Sequence, residues 1–581
     1  MPKGGAGLRD ALGLRFCLRR EATEWLAKIS ASKTSRDGEL RLVGDASARR
    51  MFQLQEPSLE WALQHLTRFY ASDFFPRPFE FAAIASDWAA LKTYLLSLDL
   101  HPYVPKTPET YLAIKPNGTF RVVHQLDPID SIIYTALMYE VAAKIEQYRI
   151  PREERIAWSY RIKLSVKGSF FNHEDDSWRE YVRRTKELAD QFGNGFVVTC
   201  DVVDFYNQIY THRIQNLIVE ACGPAFEPHG KALERFLVGL NTLTSRGIPV
   251  GPAPSIIIAE LIATDIDKKI LSYTRNFVRW VDDISIFFAT RDEAEHVLHE
   301  LTAFIHENHR LVFSGEKTRI MSVERFVRTV RDEEAEEQRR FRARAEERAM
   351  DEYYEELIEK IAPYSDLDDA FDEERYQQVL DEIQKDGRYD ILSEIYAKML
   401  AEELAKDFPE FAIIRRMLRN AGRYRIRSIV SAVLEHFERL LPLIREVILY
   451  LVKVLRKDLV REYQKDFARI VNGRRSQLPF VNTWVTTLLQ HPAFEAIDLP
   501  DRYEIIRTVR DRALIAIRRE DRTWVKGYKN GVDTLGPWEK RAVLYSARIL
   551  SRDEREAWMK IAGKRGDRLE VAITKFVMTS A

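Results

Sequence analysis

The sequence predicts an α/β domain followed by an all-α region of stacked helices, and three observations carry that prediction. Short β-rich runs, "GFVVTCDVV" and "FVRWVDDISIFFAT", sit between helical stretches such as "SIIYTALMYEVAAKIEQY" and "DEAEHVLHELTAFIHEN". Residues 332–360 then place 12 acids and 6 bases in 29 positions, the pattern of a solvated helix or connector. Beyond it the chain is amphipathic helix without intervening strands. In "LPLIREVILYLVKVLRKD", Ile444, Val447, Ile448, Leu451, Val454 and Leu455 line one face. Such helices hold together only by covering one another's apolar faces, which implies a helical-repeat-like array.

Taken in order, residues 1–103 are expected to be a helical lead-in, with "SLEWALQHLTRFYASDFF" and "DWAALKTYLLSL" spaced for helices. Residues 104–330 form the α/β domain, 331–360 the connector and 361–581 the helical region. A chain of 581 residues at 45% hydrophobic content can bury more than one core. No run reaches the roughly 18 apolar residues of a membrane span, and charge interrupts "MPKGGAGLRDALGLRFCLRR" too often for a signal-peptide core. A cytoplasmic protein with no membrane partner is expected. Cys17, Cys200 and Cys222 are too few and scattered for a disulfide framework or a zinc site. With 89 basic and 89 acidic residues, any hold on nucleic acid must come from local basic surfaces.

The chemistry centres on carboxylates in unfavourable places. Asp282 and Asp283 interrupt two apolar strand-like runs, and Asp201 ends a run of β-branched residues. A solvated hairpin turn would explain the pair by itself. An acid on a buried strand, however, is costly unless paired or bound to metal. Should the hairpin lie beside the Asp201 strand, three carboxylates converge, a donor set suited to Mg²⁺. Two such ions can activate an attacking hydroxyl and stabilise a leaving pyrophosphate.

An ordered series then narrows the reading: "LAIKPNGTFRVV", "DVVDFYNQIYTH", "RGIPVGPAPSIIIAEL", "RWVDDISIF" and "FSGEKTRI". In this order the set resembles the successive finger and palm motifs of reverse transcriptases over residues 104–328. The resemblance implies an α/β polymerase fingers-palm domain of the right-hand type, joining deoxynucleoside triphosphates with two Mg²⁺ ions, Mn²⁺ being an alternative. It implies Asp201, Asp282 and Asp283 as catalytic carboxylates, with the Val202 carbonyl as a further metal ligand and Lys317 as proton donor near the departing pyrophosphate. It also makes Lys115 and Arg121 the cations that hold the triphosphate, Tyr206 the aromatic that excludes a 2′-hydroxyl, and Gly251 a point of close backbone approach to nucleotide. Two departures stand out. Trp280 replaces the usual Tyr before the Asp pair, and Val250 replaces the Gln that contacts a templating strand.

Within that family the "FYNQIYTH" and "GIPVGP" forms look most like bacterial retron and abortive-infection enzymes. The Val-Thr-Gly triplet and Asn-Ala-x-x-His motif of retrons are missing, and the long helical C-terminus is similar to the phage-defence group. The implied function is a defence-type DNA polymerase, with template use and protein priming left open. The alternatives are a template-copying retron or intron-like enzyme, and a non-catalytic helical scaffold. No Arg lies four to six residues before His436 or His491, so a second, nuclease site is not expected. One further surface is a candidate for single-stranded DNA product or RNA: Arg415, Arg416, Arg419, Arg423, Arg425 and Arg427, with Tyr424 as stacking aromatic. A homo-oligomer is expected.

Overall fold

The computed structural model describes residues 51–69, 74–171, 177–242, 244–328, 387–497 and 508–579. The connector predicted over 331–360 lies outside the described residues, as does all of the lead-in before Met51.

Two antiparallel sheets organise the α/β part. The first is a hairpin, β1 (Glu109–Ile114) and β2 (Phe120–Gln125), in register from Glu109 opposite Gln125 to Ile114 opposite Phe120. Its turn closes because Gly118 takes φ 79° and Asn117 accepts the Thr119 N–H, so a glycine is required at that point. The second sheet has four strands in the order β4-β5-β3-β6, with β3 (Phe196–Cys200), β4 (Phe277–Trp280), β5 (Asp283–Phe288) and β6 (Arg319–Ser322). Side-chain alternation explains why these runs are apolar throughout. Val197, Val278 and Phe287 face a small core with Leu188 and Ala189, whereas Val198, Phe277 and Ile286 face the main one.

Two long helices contribute to that main core. In α1 (Pro128–Tyr148), Asp127 caps the N-terminus by accepting the Ile129 N–H and Pro128 opens the first turn. In α2 (Ala253–Leu271) the run "IIIAELIA" is buried on every side. Neither helix is strongly amphipathic, as expected of elements buried over most of their surface.

The helices after residue 387 divide between two cores. Those over 389–497, among them α3 (Phe411–Arg423), α4 (Ile444–Val454) and α5 (Pro479–Leu489), share a core with Ala113 and Val123 of the first hairpin. The last helices, including α6 (Val509–Arg518), α7 (Pro537–Ser546) and α8 (Arg568–Thr579), join the main core alongside Leu59, Phe81 and Ile132. Charge reinforces this second contact. Arg510 grips Glu80 through two hydrogen bonds of 2.6 and 3.0 Å, and the fully buried Arg541 donates to Asp127 at 2.7 Å. The C-terminal helices are therefore built into the α/β part. Residues from Met51 to Ala581 fall in one compact unit. None of the described helices is long and apolar enough to cross a membrane.

Candidate active site

The β4–β5 hairpin closes through two residues, since Trp280 pairs with Asp283 and leaves only Val281 and Asp282 in the loop. Tight hairpins of this kind need a left-handed residue, usually glycine, at the first loop position. Here Val281 occupies it with φ 56°. A β-branched residue held there stores about 1–3 kcal/mol of strain. The turn thereby sets Asp282 and Asp283 side by side at one end of the sheet.

Asp201 reaches the same end from the neighbouring strand. Antiparallel pairing of β3 with β5 puts Cys200 opposite Ile284, so the residue after β3 meets the start of β5. The chain beyond is pinned: the Asp201 carbonyl accepts the Ser314 N–H at 2.8 Å, Val202 bridges Phe313, and the Val203 N–H donates to Val312. Lys317 Nζ donates to Asp201 Oδ1 at 2.8 Å from a side chain that is 67% exposed.

Electrostatics show that the three carboxylates act on one another. Burial, then Asp282 and Asp201, push the Asp283 carboxyl up to about 6, against Lys317. Burial and Asp201 also raise Asp282, while its own backbone N–H, Lys317 and Arg121 oppose the rise. Arg121 of β2 is thus within electrostatic reach of Asp282. The Tyr206 phenol, packed partly buried against the main core, is held above its ordinary range by burial, then by Tyr160, Glu260 and Asp282. Among the described residues no three His, Cys, Asp or Glu side chains are assembled as a ready ligand cage. The Asp201 carboxylate is engaged by Lys317 instead. Clustered, mutually repelling oxygen donors nevertheless fit a hard divalent cation.

The remaining predicted residues sit on the first hairpin, on the loop before α2 and at the end of β4. Lys115 begins the β1–β2 turn, where its N–H donates to the Thr119 carbonyl at 2.8 Å. Gly251 has φ 129°, a conformation that an L side chain rarely adopts. Its neighbour Val250 is tied to the first hairpin by a reciprocal pair, the His124 N–H donating to its carbonyl and its own N–H to His124 Nδ1, both at 3.1 Å. Trp280, opposite Asp283 across the hairpin, meets the edge of Trp178 at 4.9 Å between centroids.

A buried network beneath the turn was not foreseen. Arg279 donates to Asp267 through Nε and Nη2, both at 2.8 Å, and to Glu260 at 3.0 Å. Arg149 joins the same Glu260 at 2.6 Å and also holds the carbonyls of Ser159 and Tyr160. All four charged side chains are buried. Burial pushes Glu260 up, but Arg279 and Arg149 outweigh it and pull the carboxyl below its usual range. The available signal was Glu260, an acid inside the apolar run "IIIAELIA", with Asp267 seven residues on. Their spacing puts both on one face.

The arginine-rich candidate surface is partly corrected. Arg415, Arg419 and Arg423 are exposed along α3, and Arg415 and Arg419 both pair with Glu446. Arg416, Arg425 and Arg427 are half-buried, and burial followed by Arg456 lowers the Arg427 guanidinium. Tyr424 cannot supply a stacking platform, because it is 3% exposed and its ring belongs to the second core. Helix periodicity explains this: the position after the last turn points inward.

A fingers-type hairpin and a palm-type sheet whose turn carries paired carboxylates give the α/β part the fold of a right-hand polymerase. Residues 106–348 match the family described as Reverse transcriptase (RNA-dependent DNA polymerase), so the chain carries a reverse-transcriptase domain, followed by a helical C-terminal region. Among solved structures, a telomerase from Candida albicans in complex with a fragment of telomeric RNA aligns over 75% of this chain and 65% of its own, at 11% identity and a TM-score of 0.27. The chain thus spans just under two-thirds of the telomerase's length, and likeness at that level carries no argument. No curated protein matches in sequence.

Proposed function

We propose that this protein is a metal-dependent DNA polymerase of the phage-defence type, working at Asp201, Asp282 and Asp283. The observation that carries the reading is the convergence of these three carboxylates at one end of the palm sheet with Arg121 and Lys317 acting on them. Asp201, Asp282, Asp283 and the Val202 carbonyl would hold Mg²⁺, which when bound supplies charge neutralisation at the attacking and leaving oxygens. Lys115 and Arg121 orient the triphosphate on the fingers side, where two cations suit a polyanion. Lys317 neutralises and protonates the departing pyrophosphate. Tyr206, half-buried after the Asp201 strand, limits the space beneath the sugar. A silent scaffold would have no physical need to crowd three carboxylates whose repulsion costs stability.

Template independence and protein priming extend this reading. They are supported by Val250, whose backbone is engaged by His124 and whose side chain has no amide to offer a templating strand. The defence role is supported by the motif forms and the long helical region. The test incubates nuclease-treated protein with Mg²⁺ and deoxynucleotides, then compares products on a denaturing gel before and after protease. Products that form without RNA and shift on proteolysis are expected. Strict dependence on an added primer-template would instead establish a template-copying enzyme. Loss of phage resistance in cells on replacing Asp282 and Asp283 would tie the chemistry to defence, and resistance unchanged by that replacement would remove the defence assignment.

A further inference from the structure

The Val281 backbone is held on both of its polar sides, by a group far away in sequence at its N–H and by a near neighbour at its carbonyl. Its N–H donates to the Ser159 hydroxyl at 2.9 Å, and its carbonyl accepts from Arg279 Nη1 at 2.8 Å. The Ser159 hydroxyl in turn donates to Glu260 Oε1 at 2.6 Å, the carboxylate on which Arg149 and Arg279 converge. Ser159 reaches this place because the segment before it lies along the open edge of β4: Ala157 bridges Arg279 in parallel, and the Arg279 N–H donates to the Ile156 carbonyl at 2.9 Å. Arg149 fixes that segment by holding two successive carbonyls, those of Ser159 and Tyr160. Every connection ends on the one β-branched residue that the tight turn forces into the left-handed region.

From this geometry we propose that Ser159, fixed by Glu260 and Arg149, is a positioning residue that clamps Val281 in its left-handed conformation and so sets Asp282 and Asp283 in register. The inference rests on the reading of that turn as the metal-binding turn. A serine suits the task because one hydroxyl can donate to the carboxylate and accept from the amide at once. The charge on Glu260 orients the hydroxyl proton, leaving its lone pair for the Val281 N–H. Strain at a functional turn persists only where the surroundings over-determine it, and here both sides of the peptide are determined.

The test is a double-variant cycle on the full chain, Ser159→Ala and Val281→Gly singly and together, read two ways. Hydrogen exchange of peptides covering residues 280–284 should speed up in Ser159→Ala, because the Val281 amide loses its acceptor. In nucleotide incorporation, Ser159→Ala should lower kcat on the order of tenfold with little change in KM, as misplacement of the carboxylates affects the reacting geometry more than binding. Glycine accepts a left-handed φ without a clamp, so in the Val281→Gly background the same substitution should cost about twofold or less. A general packing role for Ser159 would give equal losses in both backgrounds, and that result overturns the proposal, as does unchanged exchange at the turn. If the wild-type chain incorporates no nucleotide, the functional reading fails, and the exchange measurement still decides the clamp.

Discussion

The two arginine clusters of this protein look alike in composition and do opposite things. Beneath the palm turn, Arg149 and Arg279 are fully buried and each hydrogen bond ends on a carboxylate or a backbone carbonyl. On α3, Arg415 and Arg419 keep side chains 48% and 57% exposed and share a single partner, Glu446. The first cluster has no charge to spare for a ligand, while the second leaves positive charge at the surface. Counting arginines in a sequence window finds only the second kind. What separates them is whether acids arrive from elsewhere in the chain.

That contrast can be broken experimentally. The largest effect is expected from Arg279→Met, which leaves Asp267 and Glu260 buried and short of a partner. Removing one member of a buried ion network costs roughly 3–5 kcal/mol, to be measured by urea unfolding. A loss below about 1 kcal/mol would place this cluster with ordinary surface pairs.

An intermediate effect concerns Asp130, a buried carboxylate that accepts from the Tyr103 hydroxyl and the Lys106 N–H. Burial and then Asp127 push it up to about 7. Below about pH 4 it is protonated whether the chain is folded or not. As pH rises from there, the unfolded chain releases the proton while the folded one keeps it, so this contribution to stability is lost on the way to pH 7. The thermal midpoint of the wild type should therefore fall more steeply over that range than that of Asp130→Asn, and parallel curves would show that Asp130 ionises normally.

The smallest effect on stability should come from Arg415→Ala with Arg419→Ala, within about 1 kcal/mol, because both arginines are exposed and Arg445 stays paired with Glu446. If α3 contacts single-stranded nucleic acid, the same double variant should flatten the slope of log affinity against log salt by about 1.4. An unchanged slope would mean that these arginines serve only Glu446.

Legibility from sequence followed the same division. The strand carrying Asp201, the Asp282–Asp283 turn and the fingers hairpin were readable because each combines a local pattern with a fixed order along the chain. The Arg149–Glu260–Arg279–Asp267 network was not, because its members are separated by up to 130 residues and meet only once α1, α2 and β4 are packed. Tyr424 was misread for a related reason: a surface of arginines on α3 says nothing about the residue that follows the helix. The helices after 508 were assigned to an array, yet Arg510, Arg541 and Lys575 find their carboxylates on Glu80, Asp127 and Asp87. Long-range charge pairing of this kind leaves no periodic trace.

The central claim is that the palm turn is a metal-dependent site of nucleotide transfer. Its most direct test measures incorporation of labelled deoxynucleotides by the purified full chain, with Mg²⁺ and with chelator, for the wild type and for Asp282→Ala/Asp283→Ala. The account predicts Mg²⁺-dependent synthesis by the wild type and none by the double variant, whose unfolding transition remains cooperative because the substitution relieves carboxylate repulsion. Synthesis by the folded double variant at the wild-type rate would contradict it.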